Sequence, residues 1–397
     1  MINENNFYLN SKKFKKNINK TQNIFQTFKK DFKEFKIPML NTYQKDYIFD
    51  FTPNLINKFS KFNNIVIVGM GGSILGTKSI YSFFKKKIKT NIFFLDNLDI
   101  NSNFKKIKNL KKTCFIIVSK SGNTIETISN LSLIFSKSLF QNKLIIITES
   151  KNNALMNIAS KFNAEVIEHK DFLGGRYSVL SEVGMLPAAL MKLNIKKFRN
   201  LENLINNKKF TSFLITNVAS IHTLNAQGVK NSVILNYDTR LNDLSMWYQQ
   251  LTAESLGKKG KGITPTISTM PKDNHSLLQL YLDGPKDKFF TFLNTFQKKN
   301  DQKINNSAIP KNMDFLKNKK ITSIVNAQSE ATKKVFKLKK IPFRSFIFNK
   351  NDEKELGLIF TYFVLETILL ANLMKINPFD QPAVEQIKTE TKKILLR

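Results

Sequence analysis

Short apolar runs rich in β-branched residues alternate with helix-length segments through the first half of the chain. The runs at 65–68, 91–95, 114–118, 144–148 and 165–167 read as strands, with helical segments at 73–86 and 124–140 between them. Runs this continuously apolar suit a parallel sheet buried on both faces rather than one with a solvated side. After a polar, helical stretch at 196–209 the rhythm resumes, with strand-like runs at 232–237, 262–268 and 343–348. Helices are predicted at 240–256, 274–282 and 356–374, and one more after Pro382. The fold class expected is α/β: two doubly wound parallel-sheet domains with helices on both faces. The expected division is an N-terminal helical segment over 1–40, α/β domains over 41–195 and 196–375, and a C-terminal helix over 376–397. A length of 397 residues suits two such domains better than one.

The segment 356–374 is apolar enough to imitate a membrane span, but Glu366 lies at its centre. A carboxylate there costs several kcal/mol in lipid, so a buried core helix is expected and no membrane partner. The single cysteine, Cys114, sits inside an apolar run and excludes a disulfide framework or a cysteine zinc site. The polar N-terminus runs into Lys12, Lys13, Lys15 and Lys16 with no apolar segment of the secretory kind, and a cytoplasmic location is expected. The formal charge of +33 would ordinarily suggest nucleic acid. Here the lysines are spread along the whole chain among asparagine, isoleucine and phenylalanine, without an RNP-like strand or a zinc-finger spacing. A solvated lysine-rich surface is the reading, with no nucleic-acid partner, and its field would help gather an anionic substrate.

Several loops carry candidate chemistry. Gly69 to Gly76, which includes Gly71, Gly72 and Ser73, follows a strand and opens a helix, so its amides can face an anion. It also resembles a dinucleotide turn, with Asp96 in the place of a ribose-binding acid, but Ile74 replaces the third glycine of that pattern. Tight packing and a ligand role both fit this turn. The run Ser119, Lys120, Ser121, Gly122, Asn123 and Thr124 again joins a strand end to a helix start. Its hydroxyls and amides suit a phosphate, although serine and threonine also favour helix caps without any ligand. Arg176 follows the pair Gly174–Gly175, where it can meet an oxyanion or simply be solvated. Gln250 and Glu254 share one helix face, and the neighbouring Trp247, Tyr248, Leu251 and Leu256 suggest a partly buried, more basic carboxylate. His275 is on a polar turn that allows proton exchange near neutrality, while His169 and His222 lack such a setting. Gln381 and Lys388 lie in the closing segment, which reads equally well as a capped amphipathic helix. No histidine–carboxylate pair has ligand spacing, so neither a metal nor a cofactor is expected.

Taken together, the glycine turn, Gly174 to Ser178, Gln250 to Gly257, Asn274 to Ser276 and Phe379 to Lys388 resemble, in order, the motifs of the glucose-6-phosphate isomerase family of two-lobed sugar isomerases (SIS type). The likeness implies a metal-free enzyme that interconverts glucose 6-phosphate and fructose 6-phosphate through an enediolate. It implies a substrate phosphate held by Ser119, Lys120, Ser121, Gly122, Asn123 and Thr124, with Gly72 and Ser73 closing over the sugar and Gln250 and Gln381 assisting. Glu254 would be the base, Arg176 the enediolate's cation, and His275 and Lys388 the proton carriers in ring opening. The C-terminal helix would pack back on the active site, and His275 would come from the other subunit of a homodimer. Two residues depart from the family pattern: Glu182 stands where a smaller residue or proline is expected, and Asn123 replaces a threonine. A non-catalytic sugar-phosphate sensor is the rival reading, and it would lack the base and ring-opening groups.

Overall fold

The computed structural model describes residues 2–99, 107, 109–135, 143–296 and 301–397. Among these described residues ten strands, numbered in chain order, make two five-stranded sheets. The first sheet contains β2 (Asn64–Val68), β3 (Asn91–Leu95), β4 (Thr113–Val118), β5 (Leu144–Thr148) and β6 (Glu165–Glu168), all parallel, in the order β3-β2-β4-β5-β6. Every residue of β2, β4 and β5 is buried, because helices cover both faces of these central strands and leave no solvent side to alternate towards. The helix expected at 73–86 is a one-turn Gly71–Ser73 segment followed by Leu75–Phe84. The one at 124–140 runs from Ile125 to Phe135, and residues 136–140 lie outside the described residues.

The second sheet contains β1 (Ile2–Asn6), β7 (Asn231–Asn236), β8 (Thr264–Thr269), β9 (Lys288–Thr295) and β10 (Phe343–Phe348), in the order β1-β10-β9-β7-β8. Two of its strands were not expected from the sequence. β9 sits centrally between β7 and β10, yet Thr291, Asn294 and Thr295 interrupt its apolar character. Each is matched by tertiary hydrogen bonding: Arg344 Nε donates to Thr291 Oγ1 at 2.9 Å, Asn294 Nδ2 donates to Ser329 Oγ at 3.0 Å, and Arg240 Nη2 donates to Thr295 Oγ1 at 2.7 Å. The other is β1, which pairs antiparallel with β10, so the N-terminal segment is not purely helical. The Lys12–Lys33 helix that follows packs against Lys208–Ala226 and Glu353–Met374, placing the N-terminal stretch in the second lobe. The Lys208–Ala226 helix was also missed, since buried Asn217, Ser220 and Thr223 blur its apolar stripe. Asn17 Nδ2 donates to one of these, Thr223 Oγ1, at 2.9 Å.

The lobes meet where the Leu75–Phe84 helix packs on the helix Asn242–Leu256. A further strap fastens the residues before β2 to the Gly174–Gly175 loop, as Tyr43 Oη donates to the Tyr177 carbonyl at 2.9 Å. Glu182, the unexpected residue of the family pattern, is buried at a helix start and accepts from Tyr47 Oη at 2.9 Å and the Asp50 amide at 3.2 Å. Burial pushes its carboxyl above the usual carboxylate range, the hydrogen bonds only partly opposing this.

The apolar helix Glu353–Met374 is long and hydrophobic enough to cross a bilayer, but 83% of its most apolar window is buried inside the protein. Glu366 has a partner there, the fully buried Arg344 of β10, which forks onto both carboxylate oxygens, with Nη2 to Oε1 at 2.9 Å. Phe289, Phe346 and Phe363 surround that guanidinium. Removing one member of such a pair strands the other charge in a low-dielectric core. Glu366→Ala is therefore expected to lose about 3–5 kcal/mol of stability, while Glu366→Leu combined with Arg344→Met loses much less. Urea unfolding midpoints of the two variants check this, and equal losses would contradict it.

Candidate active site

In the first sheet the chain reverses direction across β2, running outward to β3 and then returning to β4 on the other side. The crevice beyond the carboxyl ends of β2 and β4 is the usual ligand position in such a sheet. The glycine turn leaves β2 there, and the Ser119 loop leaves β4. A Cβ on Gly69 would come within 3.0 Å of the Val118 carbonyl, so the two connections lie against each other. The turn also faces the second lobe, since a Cβ on Gly71 would meet Gln250 Nε2 at 2.8 Å. On Gly72 it would fall 2.2 Å from the Gly175 carbonyl carbon and 2.4 Å from the Arg176 nitrogen. Only glycine permits this backbone-on-backbone contact, which brings the first turn directly beneath Arg176.

Arg176 is not a solvated surface arginine. It is 2% exposed and has a partner for every N–H of its guanidinium. Nε donates to Ser255 Oγ at 2.8 Å, Nη1 to Gln381 Oε1 at 2.9 Å and towards Glu254 Oε1 at 3.1 Å, and Nη2 to the carbonyls of Pro378 and Asp380. Glu254 completes the group from the helix Asn242–Leu256, where the four-residue spacing lets Gln250 Nε2 donate to its Oε2 at 2.9 Å. Its side chain is 24% exposed, so the carboxylate is half-buried between a cation and an amide rather than against apolar neighbours. Gln250 Oε1 is buried and has no hydrogen-bond partner among the described residues.

The Ser119 loop is built as an open nest. Ser119 Oγ and Thr124 Oγ1 are 2.9 Å apart, and Gly122 holds a positive φ of 66° where a Cβ would strike Asn153 Oδ1. Lys120 Nζ donates to the Asp171 carbonyl at 2.6 Å and lies 3.6 Å from Glu149, while Ser121 Oγ accepts from the Asn123 amide. Asn123 turns its side-chain oxygen to the Ala154 amide at 3.0 Å, which gives this departure from the family pattern a structural job. Asp96, the candidate ribose acid, is 2.6 Å from Lys78 Nζ and so neutralised within the protein.

Two expected residues are not joined to this group. His275 is exposed on the one-turn segment Lys272–His275 beyond β8, with no hydrogen bond or ion pair to Glu254 or Arg176. Lys388 belongs to the helix Val384–Leu395, which has no buried residue, and its Nζ pairs with Glu385 on the same helix at 2.6 Å. The C-terminal helix thus does not pack back on the site in this chain alone; only Pro378 to Gln381 return to it. Of the remaining histidines, burial pushes His169 down to about 4 and lowers His222 as well, so both are neutral at neutral pH. Sequence reasoning missed Ser255 and Tyr177, which join Arg176 in its buried network, although both adjoin residues already singled out. The carbonyls of Pro378 and Asp380 left no trace in the sequence, because any residue supplies a carbonyl.

Comparison with known proteins agrees with this architecture. A solved structure from Thermus thermophilus, described as a hypothetical protein, superposes over the whole of both chains with a TM-score of 0.86 at 22% identity. A glucose-6-phosphate isomerase structure from Chlamydia trachomatis has a TM-score of 0.71 at 19% identity, covering 86% of this chain and 71% of that one. In sequence, the glucose-6-phosphate isomerase of Methanocaldococcus jannaschii is 32% identical over 87% of each chain. The probable glucose-6-phosphate isomerase of Methanococcus maripaludis is 34% identical over 83% of this chain and 78% of its own. The family description "Phosphoglucose isomerase" matches residues 56–397, a span that includes the glycine turn, the Ser119 loop, Arg176 and Glu254, and the chain belongs to the phosphoglucose isomerase family.

Proposed function

We propose that this chain interconverts glucose 6-phosphate and fructose 6-phosphate by proton transfer between C2 and C1 of the open-chain sugar. The observation that carries this reading is the half-buried Glu254 carboxylate, 3.1 Å from a fully engaged Arg176 and joined through Gln250 to the glycine turn, which lies against the strand end that opens the Ser119 loop. Aldose–ketose isomerisation needs one base that takes a proton from a carbon acid and returns it to the neighbouring carbon, with a fixed cation at the oxygen that becomes negative. When Glu254 accepts the C2 proton, its negative charge passes through the breaking C–H bond to the enediolate oxygen. Arg176 lies beside both positions, so charge moves around a stationary cation instead of being created away from one. The hydroxyl proton then passes from O2 to O1 of the enediolate and Glu254 returns its proton to C1, which gives the ketose with no external oxidant or reductant consumed.

The remaining assignments follow the same chemistry. Ser119, Lys120, Ser121, Gly122, Asn123 and Thr124 bind the phosphate, and Gly72 and Ser73 approach the sugar from the glycine turn. The unpaired Gln250 Oε1 suits a sugar hydroxyl donor, and Gln381 lines the site from the C-terminal segment. His275 opens the ring, and its exposed position, away from Glu254 in one chain, fits delivery to the site of a second copy in a homodimer. Lys388 is assigned to the same step by its place in the Phe379 to Lys388 motif of the family. Interconversion of these hexose phosphates belongs to cytoplasmic sugar metabolism, glycolysis in one direction and gluconeogenesis in the other.

Glu254→Gln keeps the shape and the Gln250 contact but removes the base. Its turnover is expected to fall by several powers of ten with near-normal binding of fructose 6-phosphate, measured in a coupled assay and by titration. Wild-type-like turnover would refute the assignment. His275→Ala is expected to lose more activity with the cyclic sugar than with an open-chain substrate, and equal losses would exclude ring opening. Mixing Glu254→Gln and His275→Ala chains under subunit exchange is expected to restore activity on the cyclic sugar through hybrid dimers, because one of their two sites receives both intact groups. Failure to restore activity in verified hybrids would place His275 in its own chain's site.

A further inference from the structure

The guanidinium of Arg176 is oriented by a closed ring of hydrogen bonds whose other members have no part in the chemistry assigned so far. Arg176 Nε donates to Ser255 Oγ at 2.8 Å, and Ser255 Oγ lies 2.8 Å from Tyr177 Oη. Tyr177 Oη donates to the Pro378 carbonyl at 3.0 Å, and the same carbonyl accepts from Arg176 Nη2. Tyrosine has a single hydroxyl proton, so with that proton on Pro378 the Ser255 proton must point to Tyr177 Oη. Every donor is then used, and the ring returns to the guanidinium from which it starts. Ser255 and Tyr177 are both 0% exposed, so water cannot substitute for a missing partner without entering the core. Tyr177 further places its ring 5.1 Å from the Arg176 guanidinium carbon.

We infer that Ser255 is a positioning residue for the isomerisation: it fixes the rotation of the Arg176 guanidinium, so that Nη1 faces Glu254 and the developing enediolate. With Nε on Ser255 and Nη2 on two carbonyls, the plane of the group is set on two of its edges, and the third, Nη1, is turned to the side chains of Glu254 and Gln381. Ser255 directly follows Glu254 in one helix, so base and cation are referenced to the same rigid element. A small error in such an arrangement is costly, because electrostatic stabilisation of a transition state depends on donors already aimed where charge will appear. Tyr177 acts one step further away, by orienting the Ser255 hydroxyl.

This inference rests on the proposed isomerase reading, and the experiment separates the two. Ser255→Ala removes the acceptor for Nε, and its kcat is expected to fall about thirtyfold while KM for fructose 6-phosphate stays within about threefold. Two ligands distinguish positioning from general damage. A phosphorylated five-carbon hydroxamate, whose planar head copies the enediolate, should bind about thirtyfold more weakly to the variant. Sorbitol 6-phosphate, which carries the phosphate and the hydroxyl chain but no planar enediolate-like head, should bind as it does to wild type. Should Ser255→Ala not fold, Tyr177→Phe supplies the decision, with the same pattern at about fivefold. A variant kcat within twofold of wild type, or equal weakening of both ligands, overturns the inference. An inactive wild-type chain would instead overturn the isomerase reading itself.

Discussion

The site is held by a buried cation that joins three distant parts of the chain. Arg176 comes from the Gly174–Gly175 loop, Glu254 and Ser255 from the helix after β7, and Pro378, Asp380 and Gln381 from the segment before the final helix. A guanidinium this deeply buried needs all its N–H groups satisfied, and carbonyls and hydroxyls supply most of them at lower desolvation cost than further carboxylates would. Lys258 reinforces the same closure, with Nζ 2.7 Å from Asp380 Oδ1. The lobes are thus joined at the point where chemistry would occur, and the geometry of the base depends on packing between domains rather than on either lobe alone.

Much of this was legible in the residues. The continuous apolar runs of β2, β4 and β5 announced a covered parallel sheet, and Glu366 at the middle of an apolar helix pointed to a core helix rather than a membrane span; its partner Arg344 was not foreseen. Gln250 and Glu254 fell on one helix face as their spacing required. The glycine turn was divided between packing and ligand, and the structure shows why one reading did not exclude the other: Gly72 packs on Gly175 so that the turn can lie under Arg176.

What stayed hidden shares a physical cause. β9 and the Lys208–Ala226 helix carry buried polar residues that only tertiary partners make tolerable, so their local pattern misled. The positions of His275 and Lys388 relative to Glu254 were likewise beyond local pattern, since they depend on how exposed segments are used rather than on any period in the chain. The depth at which Arg176 is buried was not legible, because nothing nearby in sequence neutralises it; its partners lie about 80 and 200 residues further on.

The antiparallel edge strand has a bearing on how the chain is made. β1 shields the free edge of β10, pairing Asn6 with Phe343 and Glu4 with Ser345, and unsatisfied strand edges invite association between molecules. Its partner is synthesised about 340 residues later, so β1 stays unpaired while most of this sequence is made. Until then the second sheet lacks its β10–β1 side, and the first lobe, whose five strands are contiguous in the sequence, can assemble ahead of it.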